Sequence, residues 1–330
     1  MTRTASRMDA AAVGGAMFVT VEQCWACGGR DLVPYHQCGL DFSDYRQQDL
    51  GLDAYTGQRV WLVRCRACGF GQPEGLPTLA NYFDRMYDQH WSEDWVVREF
   101  DAECKDLIFR TTLREIARSC AGGRRRLLDI GAHAGRFMHL AQQAGWDVEG
   151  IELNSRTAAC AARRTGAPVH QVNAQTLSAG ERRYEAVTLI DVLEHVPEPV
   201  NLLSTVARLL EPGGCIAVKV PCGTSQWRKE RVVAALRPSH KVSLAENLVH
   251  VSHFSPRSLR LALERAGFAQ ITIRTGAPEL RTMRPRFLQP AISNAVRLVV
   301  YAAGRLPGAL YTPLALNLQA YARLPQRPKS

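Results

Sequence analysis

The feature that most constrains the fold is a repeated alternation of short apolar segments with longer helical ones, which begins at about Asp101. The apolar segments are rich in Val, Ile and Leu, and they include RRRLLDI, WDVEGIELN, YEAVTLIDV and CIAVKVP. Strands that alternate with helices form a parallel sheet with helices on both faces. The sequence therefore predicts an α/β domain, and ligands of such domains bind at the carboxyl ends of the strands.

A glycine-bearing turn follows the first apolar segment, in the stretch Asp129-Ile-Gly131-Ala-His133-Ala-Gly135. The glycines let the backbone bend and approach a ligand closely, and Asp129 can organise the loop or meet a cationic group. The second segment ends about 20 residues further on at Glu152, where an acid can accept hydrogen bonds from both hydroxyls of a ribose. This pairing fits a nicotinamide dinucleotide and S-adenosylmethionine (SAM) equally well.

Later segments separate these two cofactors. The stretch YEAVTLIDVLEHVPEPVNLLSTVARLLEPGGCIAVKVP is very similar to the fourth strand, helix and fifth strand of class I SAM-dependent methyltransferases. A second stretch, NLVHVSHFSPRSLRLALERAGF, resembles a late segment of the small-molecule branch of that family. The resemblance covers roughly residues 101–324. It implies a Rossmann-like seven-stranded, mostly parallel sheet with helices on both faces, in which ITIRTGAP and LNLQAYARL form the sixth and seventh strands.

The resemblance also implies roles for individual residues. Asp129, Gly131 and Gly135 would frame the methionine part of SAM, Glu152 would bind its ribose, and Asp191 would line the reaction cleft. These assignments make SAM the expected cofactor.

Two positions depart from the family pattern. His133 replaces the usual middle glycine of the loop, where it either contacts the cofactor or is a surface residue that an adapted loop tolerates. Asn173 replaces the acid that is usual near the adenine. Because an amide both donates and accepts hydrogen bonds, we expect SAM binding to persist.

A hydroxyl acceptor must lose its proton during methyl transfer, and histidine is a suitable base. His195 follows the fourth strand, and His250 and His253 lie in the segment expected to form the substrate wall. Each is predicted either as the general base or as a structural residue.

The spacing Asp191-Val-Leu-Glu194-His195 occurs, with Glu first, in some methyltransferases that bind a divalent ion. Mg²⁺ or Mn²⁺ at Asp191, Glu194 and His195 is therefore one hypothesis, and loop orientation by Glu194 and His195 is the other.

Two CxxC pairs precede this domain, and a glycine follows each pair. Two such turns complete a tetrahedral sulfur site that suits a structural Zn²⁺, whereas a redox role would leave the duplication unexplained. The predicted ligands are Cys24, Cys27, Cys65 and Cys68. A CxxC module ahead of this domain looks like the architecture of bacterial sugar and secondary-metabolite methyltransferases.

These patterns divide the chain into a small N-terminal zinc-binding module and a catalytic domain. The expected divisions are a disordered start (1–20), the zinc-binding module (21–78), a helical connector (79–100), the methyltransferase domain (101–326) with an insertion (280–314), and a tail (327–330). The connector carries Tyr82, Tyr87, Trp91 and Trp95, several of them spaced for one helix face. They are expected to pack in the core or to cover the cofactor.

Composition limits the partners. The net charge of +10 favours an anionic partner, but no long polybasic run exists. Pro221-Cys222 falls after the fifth strand, where the nucleophile of RNA cytosine methyltransferases is not expected, and the N/D-P-P-Y tetrapeptide is absent. Nucleic acid is therefore disfavoured as a substrate.

No apolar run reaches the roughly 20 residues of a membrane-spanning helix. The insertion interleaves apolar residues with Arg297 and Arg305, and such a segment could contact a membrane surface or cover an apolar substrate.

Ten cysteines without an export signal predict a reducing, cytoplasmic compartment. Three functions remain open. The first is O-methylation of a small molecule, such as a sugar nucleotide, glycolipid precursor or secondary metabolite. The second is rRNA or tRNA methylation, and the third is non-catalytic SAM binding. Neither the acceptor nor the oligomeric state follows from the sequence.

Overall fold

The computed structural model describes residues 17–45, 49–88, 100–101, 103–120, 125–176, 183–236, 246–282 and 288–326. The expectations for most of the N-terminal start, for Trp91 and Trp95 of the connector and for the 327–330 tail lie outside these residues. Among the described residues, no helix combines the length and the apolar character that crossing a membrane requires.

The N-terminal part forms two small antiparallel sheets, one of three strands in the order β2-β3-β4 and one of two strands, β1 and β5. Its elements are β1 (Phe18–Thr20), β2 (Leu32–Gly39), α1 (Leu50–Asp53), β3 (Arg59–Cys65), β4 (Gly71–Pro73), β5 (Gly75–Pro77) and α2 (Tyr82–Asp88). Strand β3 buries Val60 and Leu62 on one face and ends at Cys65. The strand thus leads directly to the second cysteine pair.

The larger part is built on a seven-stranded sheet in the order β11-β12-β10-β9-β6-β7-β8. Its strands are β6 (Arg126–Ile130), β7 (Asp147–Ile151), β8 (Val169–His170), β9 (Tyr184–Ile190), β10 (Leu210–Pro221), β11 (Ala269–Thr275) and β12 (Asn317–Arg323). The pairs among β6 to β10 are parallel, and only β12 runs antiparallel to its two neighbours. The predicted mostly parallel sheet of seven strands is confirmed.

Helices connect the strands of this sheet, as expected. They are α3 (Asp106–Ser119), α4 (Arg136–Gln143), α5 (Ser155–Thr165), α6 (Pro199–Leu209), α7 (Gly223–Leu236), α8 (Pro256–Arg265) and α9 (Leu288–Gly304). Several begin at clear sequence signals. The Ser255 side chain caps α8 by accepting from the Ser258 N–H, and Pro256 occupies the first helical position. Helix α9 lies between β11 and β12, within the predicted insertion.

The N-terminal part and the large sheet share one apolar core, because Phe70 packs edge-on against Phe254 with ring centroids 5.0 Å apart. Backbone hydrogen bonds of 2.9 Å join Gly71 and His253 in both directions. The Ser255 hydroxyl, which also caps α8, donates to the carbonyl of Cys68 at 2.8 Å. The segment His253-Phe254-Ser255 therefore fastens the second cysteine pair to the α/β domain.

Candidate functional site

The turn after β6 has the backbone conformation that its glycines permit. Gly131 and Gly135 adopt φ of +79° and +87°. A Cβ at Gly131 would collide with the Val192 side chain, and one at Gly135 would lie 2.8 Å from the Cα of Ala161. Both positions therefore require glycine, and the turn lies close to the start of the loop after β9.

Glu152, at the end of β7, holds this turn in place. Its Oε2 accepts the N–H of His133 at 2.8 Å, and its Oε1 accepts the N–H of Asn154 at 3.0 Å. Burial raises the pKa of Glu152 despite these hydrogen bonds. Glu152 also lines the cleft, where a carboxylate can accept hydrogen bonds from a ribose diol.

Asp129 lies in β6 just before the turn, and His133 lies within the turn. The buried Asp129 accepts a hydrogen bond of 2.7 Å from the Thr188 hydroxyl, and burial raises its pKa to about 7. Burial, with a smaller contribution from the charge of Lys105, lowers the pKa of His133 to about 4. The imidazole is thus neutral, and it lines the cleft beside Gly131.

The turn opens into a cleft at the carboxyl ends of β6, β7 and β9. Glu152, Asn173, Asp191 and His195 all line it. The predicted cofactor residues and one predicted base therefore meet at one edge of the sheet. Glycines that need positive φ, an acid that can accept hydrogen bonds and an amide side chain at the far end of the cleft are groups that fit SAM.

Helix α2 of the connector forms one wall of the cleft, through Tyr87, which the sequence analysis named, and through Phe83, Asp84 and Met86, which it did not. The Asn173 amide donates to both carboxylate oxygens of Asp84 at 3.0 Å. The connector thus places a carboxylate beside Asn173, the residue that stands where the family usually has an acid. Tyr82 is buried in the core of the N-terminal part, whereas Tyr87 lines the cleft. Burial, with the nearby Glu152 charge, raises the pKa of Tyr87 well above its usual range.

Asp191 is bound by two lysines. Its carboxylate accepts from Lys219 and, at 3.0 Å, from Lys105. Burial alone would raise the pKa of Asp191, but the two ammonium groups outweigh it and the pKa lies well below its usual range. Lys219 is 4% exposed within an otherwise apolar stretch of β10. A lysine in an otherwise apolar strand is a sequence signal for a site residue, and the sequence analysis did not use it.

His195 lies at the rim of the cleft, in a single 3₁₀ turn (Leu193–His195) that follows β9. Its Nδ1 is 2.7 Å from the carbonyl oxygen of Val249. A carbonyl only accepts, so Nδ1 carries a proton, and in the neutral ring Nε2 is the basic nitrogen. The hydrogen bond therefore fixes the tautomer that a general base requires.

Two other candidates surround His195. The ring of His250 packs edge-on against it, with centroids 4.9 Å apart, and burial lowers the pKa of His250 to about 3. Glu194 is 2% exposed, and among the described residues its Oε2 has no hydrogen-bond partner. Burial, reinforced by the charge of Asp191, raises the pKa of Glu194 to about 8. One donor atom from each of Glu194, His195 and His250 lies within 4.8 Å of the others.

The third histidine candidate lies outside the cleft. His253 is 5% exposed, does not line the cleft, and accepts at Nδ1 from the indole N–H of Trp227 at 3.3 Å. Burial lowers its pKa to about 3. The structure places this residue in the junction with the N-terminal part.

The four predicted zinc ligands come together. Their sulfur atoms lie within 4.8 Å of one another, with Cys24 to Cys68 at 3.5 Å and Cys27 to Cys65 at 3.6 Å. A tetrahedral site with Zn–S bonds of about 2.3 Å has sulfurs about 3.8 Å apart, so the cluster has the size of a zinc centre. Gly28 and Gly69 adopt positive φ directly after each pair, which explains why a glycine follows each CxxC.

The chain is similar in sequence to known proteins. The ubiquinone biosynthesis O-methyltransferase of Alkalilimnicola ehrlichii is 33% identical over 141 residues, which are 37% of this chain and 57% of that protein. The enzyme of the same name from Bordetella avium is 33% identical over 114 residues, 32% of this chain and 45% of that protein. The chain thus spans about half the length of the curated relatives it matches.

A solved phosphoethanolamine N-methyltransferase 2 of Haemonchus contortus, in complex with SAM, matches with a TM-score of 0.47 at 17% identity, covering 82% of this chain and 64% of that one. A sequence profile described as a methyltransferase domain matches residues 98–273, which is more than half of the chain. The match contains the glycine turn, Glu152 and the loop after β9. This chain therefore belongs to the methyltransferase domain family, among the class I SAM-dependent methyltransferases.

Proposed function

We propose that this protein transfers the methyl group of SAM to a hydroxyl group of a small molecule, with His195 as the general base. The observation that carries the proposal is the hydrogen bond from His195 Nδ1 to the Val249 carbonyl. It orients a basic Nε2 at the rim of the same cleft that holds Glu152 and the glycine turn.

The chain's residues have separate tasks in this reaction. SAM, when bound, supplies an electrophilic methyl group on a sulfonium. Glu152 and the turn at Gly131 hold the ribose and the methionine part, and Asp84 with Asn173 encloses the adenine end. The acceptor oxygen forms a bond to the methyl carbon as the carbon–sulfur bond breaks, and the hydroxyl proton passes to His195 Nε2. Positioning of the two reactants provides much of the rate.

Glu194 and His250 support the base. One polar atom of each lies within 4.8 Å of His195, and the ring of His250 packs edge-on against the His195 ring, so the two residues hold the base in position. We assign His253 a structural role, since its backbone pairs with Gly71 and its ring is bound to Trp227. Lys105 and Lys219 hold the Asp191 carboxylate in place at the wall of the cleft.

We further propose that the four-cysteine cluster binds a structural Zn²⁺ and that residues 21–78 form a zinc-binding module attached to a methyltransferase domain at 101–326. A closed four-sulfur shell leaves no position for substrate. The module's contacts to the segment His253-Phe254-Ser255 support a role in holding this segment of the methyltransferase domain in place.

The names of the relatives support oxygen as the methyl acceptor. They give no support to the sugar or secondary-metabolite acceptor that the sequence predicts. The acceptor is therefore best sought without assuming its class.

One experiment tests this function directly. The protein is incubated with methyl-labelled SAM and fractionated metabolite extracts, and labelled products are identified by mass spectrometry, with Glu152→Gln as a variant impaired in cofactor binding. We expect a labelled O-methyl ether from the unaltered protein only. Absence of measurable affinity for SAM and for S-adenosylhomocysteine would reject the proposal, and label on nitrogen or carbon would reject its hydroxyl chemistry.

A further inference from the structure

Helix α9 presents an apolar face to solvent. Ile292, Val296 and Val299 follow the i, i+4, i+7 spacing of one helix face, and they are 63%, 58% and 68% exposed. Leu306, in the turn after the helix, is 64% exposed. A surface helix normally turns its apolar stripe toward the core. We call these four residues the α9 surface.

The opposite side of the helix is already occupied by the protein. Tyr301 packs against the core between α3 and the sheet, and a Cβ at Gly304 would lie 2.8 Å from the Thr275 side chain. The helix is thus fixed with its apolar stripe outward. Such contiguous apolar surfaces mark sites of interaction.

The segment that carries this surface is basic. From Leu280 to Ser330 the sequence contains eight Arg or Lys residues and no Asp or Glu. Arg281 is exposed and is held to the helix by Asn294, which accepts its N–H at 2.7 Å and donates to its carbonyl at 2.9 Å. Arg305 is exposed at the other end of the helix. Exposed basic groups therefore stand at both ends of the apolar stripe.

The positive charge determines which kind of partner the α9 surface can bind. A second copy of the chain on a twofold axis would bring two positive surfaces together, and their repulsion opposes pairing. An anionic lipid surface attracts the same groups while it buries the apolar residues, which is the arrangement of helices that lie in membrane interfaces. We propose that the α9 surface docks this protein onto anionic lipid membranes.

The docking surface is connected to the cleft. The Leu280 N–H donates to the carbonyl of Cys104 at 2.8 Å, and Glu279 lies 3.7 Å from Lys105, which lines the cleft. The insertion therefore begins beside the cofactor end of the site. Docking would hold the cleft close to the lipid headgroups, where an apolar acceptor would be presented. The docking proposal goes beyond the methyl-transfer proposal and does not depend on it.

Vesicle co-sedimentation tests the docking without measuring activity. The full chain is mixed with vesicles of phosphatidylglycerol and phosphatidylcholine, or of phosphatidylcholine alone, at low and high salt. We expect binding to the anionic vesicles and its loss at high salt, because salt screens exposed charges. The triple variant Ile292→Gln/Val296→Gln/Val299→Gln should bind at least tenfold more weakly. Its matched control, Val19→Gln/Leu50→Gln, alters apolar residues that are equally exposed in the N-terminal part and should bind normally.

The charge is tested separately with Arg281→Gln/Arg305→Gln against Arg257→Gln/Arg260→Gln on α8. At about 1 kcal/mol per basic residue near an anionic surface, the first pair should weaken binding roughly 25-fold. Equal binding to neutral vesicles, or normal binding by the triple variant, would overturn the proposal. A dimer in light scattering that the triple variant dissociates would also overturn it, because the face would then join two copies. Circular dichroism and the melting temperature confirm that each variant folds.

Discussion

Asn173 and Asp84 come from distant parts of the chain and meet at one end of the cleft, where the amide nitrogen of Asn173 lies 3.0 Å from each carboxylate oxygen of Asp84. The first follows β8 of the large sheet, and the second belongs to α2 of the connector. The connector therefore forms part of the wall of the cleft. We propose that Asp84, from a helix that precedes β6, takes the place of the acid that the family usually has after the third strand.

This pair gives the first prediction. Asp84→Asn should weaken SAM binding by about 3- to 10-fold, because it removes a charge-assisted hydrogen bond and loosens Asn173 at the adenine end. Isothermal titration with SAM measures the effect. Asp44→Asn, which alters an exposed acid of the N-terminal part, is the control. Unchanged affinity in Asp84→Asn would show that the pair serves packing only.

The sequence predicted the parts of the site that local pattern determines. Gly131 and Gly135 need positive φ in a turn after a strand, and Glu152 stands at a fixed spacing from them, so both were recognisable. The cysteine pairs were recognisable for the same reason. Each of these signals is contained within a few residues.

The missed residues depend on long-range packing. The aromatic residues of the connector were expected to pack in the core or to cover the cofactor, but nothing near Asp84 indicates that its carboxylate meets Asn173, which follows it by 89 positions. His253 was a candidate base because it lies in the segment expected to form the substrate wall, but its burial depends on pairing with Gly71 and on Trp227. Lys219 did carry a local signal, since a lysine in a central apolar strand must find a partner.

The cysteine cluster gives a second prediction. Cys68→Ser should abolish bound zinc and lower the free energy of unfolding of the chain by about 3 kcal/mol or more, because the cluster belongs to the core shared with the α/β domain. Zinc is measured by mass spectrometry and stability by denaturant unfolding. Cys38→Ser alters a buried cysteine outside the cluster and should retain one zinc per chain. Normal stability of zinc-free Cys68→Ser would show that zinc binding in the module does not stabilise the α/β domain.

The lysines around Asp191 predict how the enzyme responds to chelators. Lys105 and Lys219 already neutralise the carboxylate that a Mg²⁺ or Mn²⁺ ion at Asp191, Glu194 and His195 would need, and their charges repel a divalent cation. We expect methyl transfer to persist after dialysis against EDTA under conditions that leave the structural zinc in place, as verified by metal analysis. Loss of activity that added Mg²⁺ restores would instead establish a catalytic cation.

The assigned base gives a fourth prediction. His195→Asn should lower kcat by about 10²- to 10⁴-fold, the usual contribution of a general base, while the affinity for SAM stays within about twofold because the residue contacts the acceptor side. Steady-state kinetics and titration measure the two effects. His170→Asn, at a half-exposed histidine on β8, is the control. A parallel loss of SAM affinity would place His195 in cofactor binding.

Glu194 gives the last prediction, on stability and pH. Its ordinary pKa of 4.5 is raised to about 8 in the folded chain by burial and by the charge of Asp191. The folded state therefore keeps a proton that the unfolded state releases, so stability from this group is present below pH 4.5 and is lost as pH rises to about 8. Glu194→Gln cannot titrate and should not show this loss.

The free energy of unfolding of Glu194→Gln, relative to the unaltered protein, should therefore increase between pH 5 and pH 8 and stay constant above about pH 8, with a slope approaching about 1.4 kcal/mol per pH unit. Denaturant unfolding across this range measures it. A buried amide without partners would shift all values by a constant, so the slope is the informative quantity. Glu22→Gln, at an exposed position, should follow the unaltered protein. A difference that does not change with pH would mean that Glu194 is ionised in the folded chain and has a cationic partner.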